Sequence, residues 1–297
     1  MASAARPALT PGTLVRDTYE VLGFLGAGAY GDVYRVRHRF LGEQALKLVE
    51  VGENAPPVEE LLNEARLLAS LSHPNVVRVF DADIYEVNGK ALPFFTMEYV
   101  TGGALASLMA KRLRLEVGEA LTAAGQMLSG LDAAHSLVPP VLHRDITPGN
   151  VLVASTQPVT LKLSDFGLAA HVHPDTRLLR AAGTIRYQPP EAAWGFATEA
   201  SDLYAVALIL YEMLTGVPAY PLPDVSELGT SIGVAQALRR GRDTQPAPPS
   251  RFRPGLSRAV DELVLGALAP KPEDRFPSAM VFKETIAAVV AAQANSV

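Results

Sequence analysis

Residues 26–34 read GAGAYGDVY, with Gly26, Gly28 and Gly31 in a G-x-G-x-x-G spacing. The element that follows the glycines decides which folds remain open. Glycine lets backbone amides approach phosphate oxygens without side-chain interference. A dinucleotide-binding crossover needs a helix after the third glycine. Here DVYRVRH continues with Val33, Tyr34 and Val36, the content of a strand. The pattern argues for two strands joined by a glycine-rich turn and against a dinucleotide site. Taken alone, the spacing serves a ligand-free glycine-rich hairpin equally well.

The neighbouring sequence extends a sheet. Strands are expected at YEVLGFLG from Tyr19, at DVYRVRH, at QALKLVE, at VVRVFDADI and at LPFFTMEYV. Between the third and fourth, PPVEELLNEARLLASLSHPN carries Leu61, Leu62, Ala65, Leu68 and Ala69 at helical spacing and stops at Pro74. After TGGAL the character changes, with helices expected over 116–137, 199–215, 232–241, 258–268 and 277–293. The second of these is apolar on nearly every face and should be buried. Strands first and helices later indicate an α+β protein of two unequal lobes. The boundaries read from the sequence are a loose Ala- and Pro-rich tail over 1–17 and one domain over 18–293, divided into 18–97, a hinge at 98–101, and 102–293.

Composition removes several classes of function. The chain has 297 residues, 48% hydrophobic and 19% charged, and reads as globular. It has no cysteine, which excludes disulfides, thiolate zinc sites and cysteine nucleophiles. A net charge of -5 argues against a chain-wide nucleic-acid or anionic-membrane surface. The basic run ALRRGRD at 237–243 is read as a solvated helix end. The start, MASAARPALTPG, lacks the apolar stretch of a secretory signal. The apolar runs ALIL (207–210) and AAVVAA (287–292) fall well short of the roughly 20 residues that a membrane span needs. A cytoplasmic protein is expected, and its Ala, Arg and Pro content suits a GC-rich bacterial genome.

Chemistry-bearing residues sit at marked places in this frame. Lys47 lies inside the apolar strand ALKLV, where an unpaired ammonium is costly. In LKLSDFGLA, Asp165 ends a strand before a glycine, a placement suited to a hard cation such as Mg2+. In HRDITPGN, residues 143–150, an acid and an amide stand five positions apart at Asp145 and Asn150.

This last stretch resembles the H-R-D-x-x-x-x-N catalytic loop of protein kinases. AGTIRYQPPE (182–191) resembles the end of their activation segment, and SDLYAVALILYEMLTG and KPEDRFPS match two later landmarks. The ordered set resembles the eukaryotic-like Ser/Thr protein kinases found in bacteria, across about residues 19–291. The resemblance implies a bilobal kinase-like fold, with a small antiparallel sheet and one main helix in the first lobe and a mainly helical second lobe. It implies ATP and Mg2+ (or Mn2+) as cofactors and a protein Ser/Thr hydroxyl as acceptor.

Carried over residue by residue, Asp145 accepts the hydroxyl proton, while Asn150 and Asp165 hold metal. Lys47 meets the α- and β-phosphates and pairs with Glu64. Gly26, Gly28 and Gly31 cover the phosphates, and Leu25, Val33, Ala45 and Leu152 sandwich the adenine. The backbone of Glu98 and Val100 bonds its edge, with Met97 as gatekeeper. Leu68, Val79, His143 and Phe166 form a spine, Glu191 pairs with Arg275, and Asp202 holds the backbone of the HRD stretch.

One position departs from the family. The residue two after the catalytic Asp is usually Lys, and here it is Thr147. Charge-stabilising groups at a transition state are often worth about 3–4 kcal/mol, so a slower enzyme is expected. The alternative is a nucleotide-binding pseudokinase scaffold. A small-molecule phosphotransferase of related fold is disfavoured by GTIRYQPPE and by His-Arg-Asp. Arg144 would order a phosphorylated loop residue, and Thr176 is the only hydroxyl side chain between Asp165 and Gly183. Thr184 is read as a neighbour of Asp145. Substrate sequence and oligomeric state are left open.

Overall fold

The strand period that begins after Gly31 is realised in β3 (Gly31–His38), where Tyr34 and Val36 are fully buried and Arg37 is exposed. The computed structural model describes residues 9–28, 31–49, 58–87, 89–166, 186–194, 196–221, 241–242 and 244–294. These fall into two units, one of residues 9–72 with Val77–Tyr99, the other of His73–Val76 with the residues from Val100 onward.

In the first unit, β1 (Leu14–Val15), β2 (Tyr19–Gly28), β3, β4 (Gly42–Val49), β5 (Val79–Val87) and β6 (Lys90–Glu98) form one antiparallel sheet in the order β1-β2-β3-β4-β6-β5. Helix α1 (Val58–Ser70) packs on β5 and buries Leu61, Leu62, Ala65 and Leu68. A cluster including Leu9, Val15, Val21, Tyr34, Val36, Leu46, Leu48 and Phe94 forms the unit's core.

The tail expected over 1–17 is corrected on its C-terminal side. The Gly12 N–H donates to the Val21 carbonyl at 2.8 Å, and Val21 N–H donates to Thr13 at 2.9 Å. Leu14 and Val15 then pair with β2. The Ala/Pro bias masked two apolar anchors: Val15 is fully buried and Leu9 is 7% exposed. An edge strand's free N–H and C=O groups supply the remaining drive.

In the second unit, α2 (Leu105–Arg112) and α3 (Val117–His135) precede the hairpin β7 (Val151–Thr156) and β8 (Val159–Leu163). There follow α4 (Glu199–Thr215), α5 (Arg258–Ala267) and α6 (Ala279–Ala294). Helix α4 is buried on every face from Ser201 to Tyr211, as its composition requires. Thr198 and Ser201 close a reciprocal cap at its start, and Gly216 ends it at φ 77°. Helix α3 packs against α4, α6 and β8. The helix expected over 232–241 lies, apart from residue 241, outside the described residues. Among the described residues no helix is long and apolar enough to cross a membrane.

Candidate active site

In the second unit the HRDITPGN loop is clamped from below by one carboxylate. Asp202, in the first turn of α4, is 2% exposed. It accepts the backbone N–H of His143 at 2.8 Å and of Arg144 at 2.9 Å. His135, at the end of α3, brings its Nε2 to 2.9 Å from the same carboxylate. These contacts hold Arg144 at φ 66°, a left-handed conformation costing about 1–3 kcal/mol unless its surroundings impose it. His135 was not singled out in the sequence; no motif spacing connects it to Asp202, and only the packing of α3 against α4 brings them together.

Asn150 ties this loop to the Asp165 segment. Its Nδ2 donates to the Asp145 carbonyl at 2.8 Å and to Asp145 Oδ2 at 2.9 Å. A carbonyl only accepts, so this contact fixes which end of the amide faces Asp145 and turns Oδ1 the other way. The Asn150 carbonyl accepts both the N–H and the hydroxyl of Ser164 at 2.9 Å. Asp165 follows at φ 63°, two residues past β8. Phe166 is 4% exposed and lies against His143, with ring centroids 4.5 Å apart. Burial pushes the His143 imidazole below its ordinary pKa, more than Asp202 and Asp165 raise it. Asp145 itself is 5% exposed.

Thr147 is half-buried in the turn, and its carbonyl accepts Asn150 N–H at 3.0 Å. No hydrogen bond of its hydroxyl is found among the described residues. The Arg144 side chain is exposed. Gly167, Thr176 and Thr184 lie outside the described residues. Leu152 sits on β7 and forms a bridge with Ala104.

Glu191 and Arg275 come together as a bidentate pair, at 2.7 Å and 2.9 Å. Ser201 also donates to Glu191, at 2.8 Å. Burial raises the Glu191 pKa, but the hydrogen bonds and charge of Arg275, with its own backbone N–H and Ser201, leave it below the ordinary carboxylate value. Arg242 is a correction to the solvated helix end read at 237–243. It is fully buried, donates to the Arg186 carbonyl at 2.6 Å and lies over the Tyr220 ring.

In the first unit, Lys47 on β4 is 1% exposed and pairs in register with Val33 on β3. Residues directly opposite on antiparallel strands share a face, so Val33 and Lys47 point the same way. Ala45 lies two positions from Lys47 on that face, in register with Met97. Leu25 is 45% exposed beside the glycines. The Glu98 N–H donates to the Arg78 carbonyl at 2.9 Å. Glu64 falls on α1, and the pairing expected of its side chain lies outside the described residues.

The three glycines have different reasons to be glycine. A Cβ on Gly31, at φ 142°, would sit 1.9 Å from the Leu48 carbonyl oxygen, whereas one on Gly26 meets nothing within 4 Å. Gly28 pairs in register with Gly31. Gly31→Ala is therefore expected to destabilise the fold by about 2–4 kcal/mol, and Gly26→Ala to leave stability nearly unchanged. Urea unfolding midpoints of the two variants check this contrast.

The sequence profile of the protein kinase domain matches residues 19–286. Serine/threonine-protein kinase PknB of Mycobacterium leprae is 31% identical over 271 residues, covering 89% of this chain and 41% of the relative. Serine/threonine-protein kinase pkn3 of Myxococcus xanthus is 33% identical over 292 residues, covering 94% and 51%. The crystal structure of the Mycobacterium tuberculosis PknI kinase domain superposes with a TM-score of 0.71 at 29% identity, covering 95% of this chain and 99% of that one. The antiparallel-sheet unit and the helical unit are thus those of the α+β protein-kinase fold. The chain belongs to the protein kinase domain family, as a Ser/Thr kinase catalytic domain of the bacterial type. It spans about half, or less, of the length of these curated relatives.

Proposed function

We propose that this domain transfers the γ-phosphate of ATP to a Ser or Thr hydroxyl of a protein, its own chain included. The observation that carries the reading is the Asp145–Asn150 pair, oriented by a loop that Asp202 clamps. The acceptor oxygen bonds to the γ-phosphorus as the bond to the β–γ bridging oxygen breaks, and its proton passes to Asp145 while ADP leaves. Asn150 Oδ1 and the Asp165 carboxylate are hard oxygen donors and fit a divalent cation such as Mg2+ or Mn2+. When bound, that cation neutralises charge on the phosphate oxygens.

In the first unit, Lys47 would meet the phosphates and the glycine-bearing strands would cover them. Leu25, Val33 and Ala45 would contact the adenine, and the backbone of Glu98 would bond its edge. Thr176 would be a site of autophosphorylation. ATP as donor suits an intracellular site of action, and the acceptors are proteins.

Nothing among the relatives supports the alternative of a scaffold without turnover, since those compared are named as kinases. The test is transfer of labelled phosphate from ATP, with Mg2+ or Mn2+, to the chain itself and to a generic basic protein. Transfer supports the proposal. Nucleotide binding in a thermal-shift assay with no transfer would establish the scaffold. Thr147→Lys is expected to raise kcat about ten-fold with the KM for ATP little changed. An unchanged kcat would show that the missing charge is supplied elsewhere.

A further inference from the structure

The same β3–β4 pairing that puts Val33 and Lys47 on one face puts Asp32, Tyr34, Leu46 and Leu48 on the other. What covers that reverse face is the segment before β1. Leu9 is 7% exposed and belongs to the same core cluster as Tyr34, Leu46 and Leu48. Its backbone N–H donates to the Tyr34 hydroxyl at 3.2 Å, and that hydroxyl donates to Asp32 Oδ2 at 3.3 Å. Asp32 directly follows Gly31, whose backbone lies against the Leu48 carbonyl too closely for any side chain. The Tyr34 ring also meets Phe24 edge-on, at 5.5 Å between centroids. Phe24 lies on β2 beside Leu25 and Gly26.

We propose that residues Leu9–Val15 form a strap that fixes the glycine-bearing strand pair from behind, and that Tyr34 is a positioning residue for nucleotide binding. The inference rests on the kinase reading above. Tyr34 faces away from Val33 and Lys47 and acts only through the strands it holds. It holds both strands that carry the glycines, β3 through Asp32 and β2 through Phe24, and Leu9 holds Tyr34. The strap itself is pinned to β2 by the Gly12 and Val21 N–H bonds. Loosening it frees β2 and β3 to shift relative to each other, which lowers the fraction of molecules whose amides are already placed for phosphate.

The test compares Tyr34→Phe, Leu9→Ala and the double variant in the full chain. Tyr34→Phe keeps the ring and its contact with Phe24 and deletes only the hydroxyl. Each single variant is expected to raise the KM for ATP, and the Kd of a fluorescent ADP analogue, about five-fold, with kcat changed less than about two-fold. The KM for the protein acceptor should stay unchanged. The double variant should show less than the product of the two single effects, because the Leu9 side chain and the Tyr34 hydroxyl anchor the same segment to the same strand. Unaltered nucleotide affinity in both single variants overturns the proposal, and so does a lowered melting temperature with unaltered affinity. A parent chain that binds no nucleotide overturns the kinase reading, and this inference with it.

Discussion

Asp145→Asn is expected to lower kcat by about two to four orders of magnitude while the KM for ATP stays within about two-fold. The substitution is informative because the geometry lets it be clean. Asp145 is 5% exposed, and asparagine fills the same buried volume with nearly the same shape. The Asn150 amide bonds to the Asp145 backbone carbonyl as well as to Oδ2, and the backbone half of that contact survives the change. An asparagine carbonyl oxygen turned toward Asn150 replaces the other half. What disappears is the ability to take a proton. Single-turnover transfer from labelled ATP, beside a melting curve, separates the two effects. A loss of transfer at an unchanged melting temperature assigns Asp145 the proton-accepting role, whereas a variant that retains most of its rate removes it.

How much of this was legible beforehand depends on where each residue's information lies. The sheet-then-helix order and the burial of α4 were readable because strand and helix periods and near-total apolarity are local properties. So was the pairing of Glu191 with Arg275, although 84 residues separate them, because the two sit in motifs whose order is itself a signature. What escaped depends on tertiary placement. Leu9 and Val15 lay in a stretch whose Ala and Pro content spoke more loudly than its two anchors, and an unpaired strand edge gave them a place to bury.

His135 and Arg242 escaped for the same reason. An isolated His at a helix end, or an Arg in a basic run, reads as solvated unless the partner element is known, and here the partners are α4 and the Arg186–Tyr220 surroundings. The glycine spacing by itself points to what it offers a phosphate. Gly31 is required first by the approach of Leu48. A sequence period shows which side of a strand a residue faces but not how near the next strand's carbonyl comes.

Arg275→Met is expected to destabilise the second unit by about 3–5 kcal/mol, because it strips a buried carboxylate of its partner and leaves the ion behind. The Arg275 side chain has no exposure, and that of Glu191 only 12%. The guanidinium satisfies more than the carboxylate: it donates to the carbonyls of Ala269 at 2.8 Å, Pro270 at 3.0 Å and Ala200 at 3.1 Å, and lies 4.5 Å from the Tyr204 ring centre. Methionine fills the volume but returns none of these bonds. A fall in melting temperature of about 10 °C follows for a domain of this size. Arg275→Lys keeps the charge and loses the planar fork, so it should fall between the two. The pH dependence has a definite sign. Glu191 has a folded pKa below its ordinary value, so the stability drawn from the pair is fully present above the unfolded carboxylate pKa and is lost as pH falls through the folded one. The gap between parent and Arg275→Met should therefore be widest near neutrality and should narrow in acid. Urea unfolding at a series of pH values measures that gap, and one that stays constant into acid would separate Arg275's contribution from Glu191 and assign it to the three carbonyls.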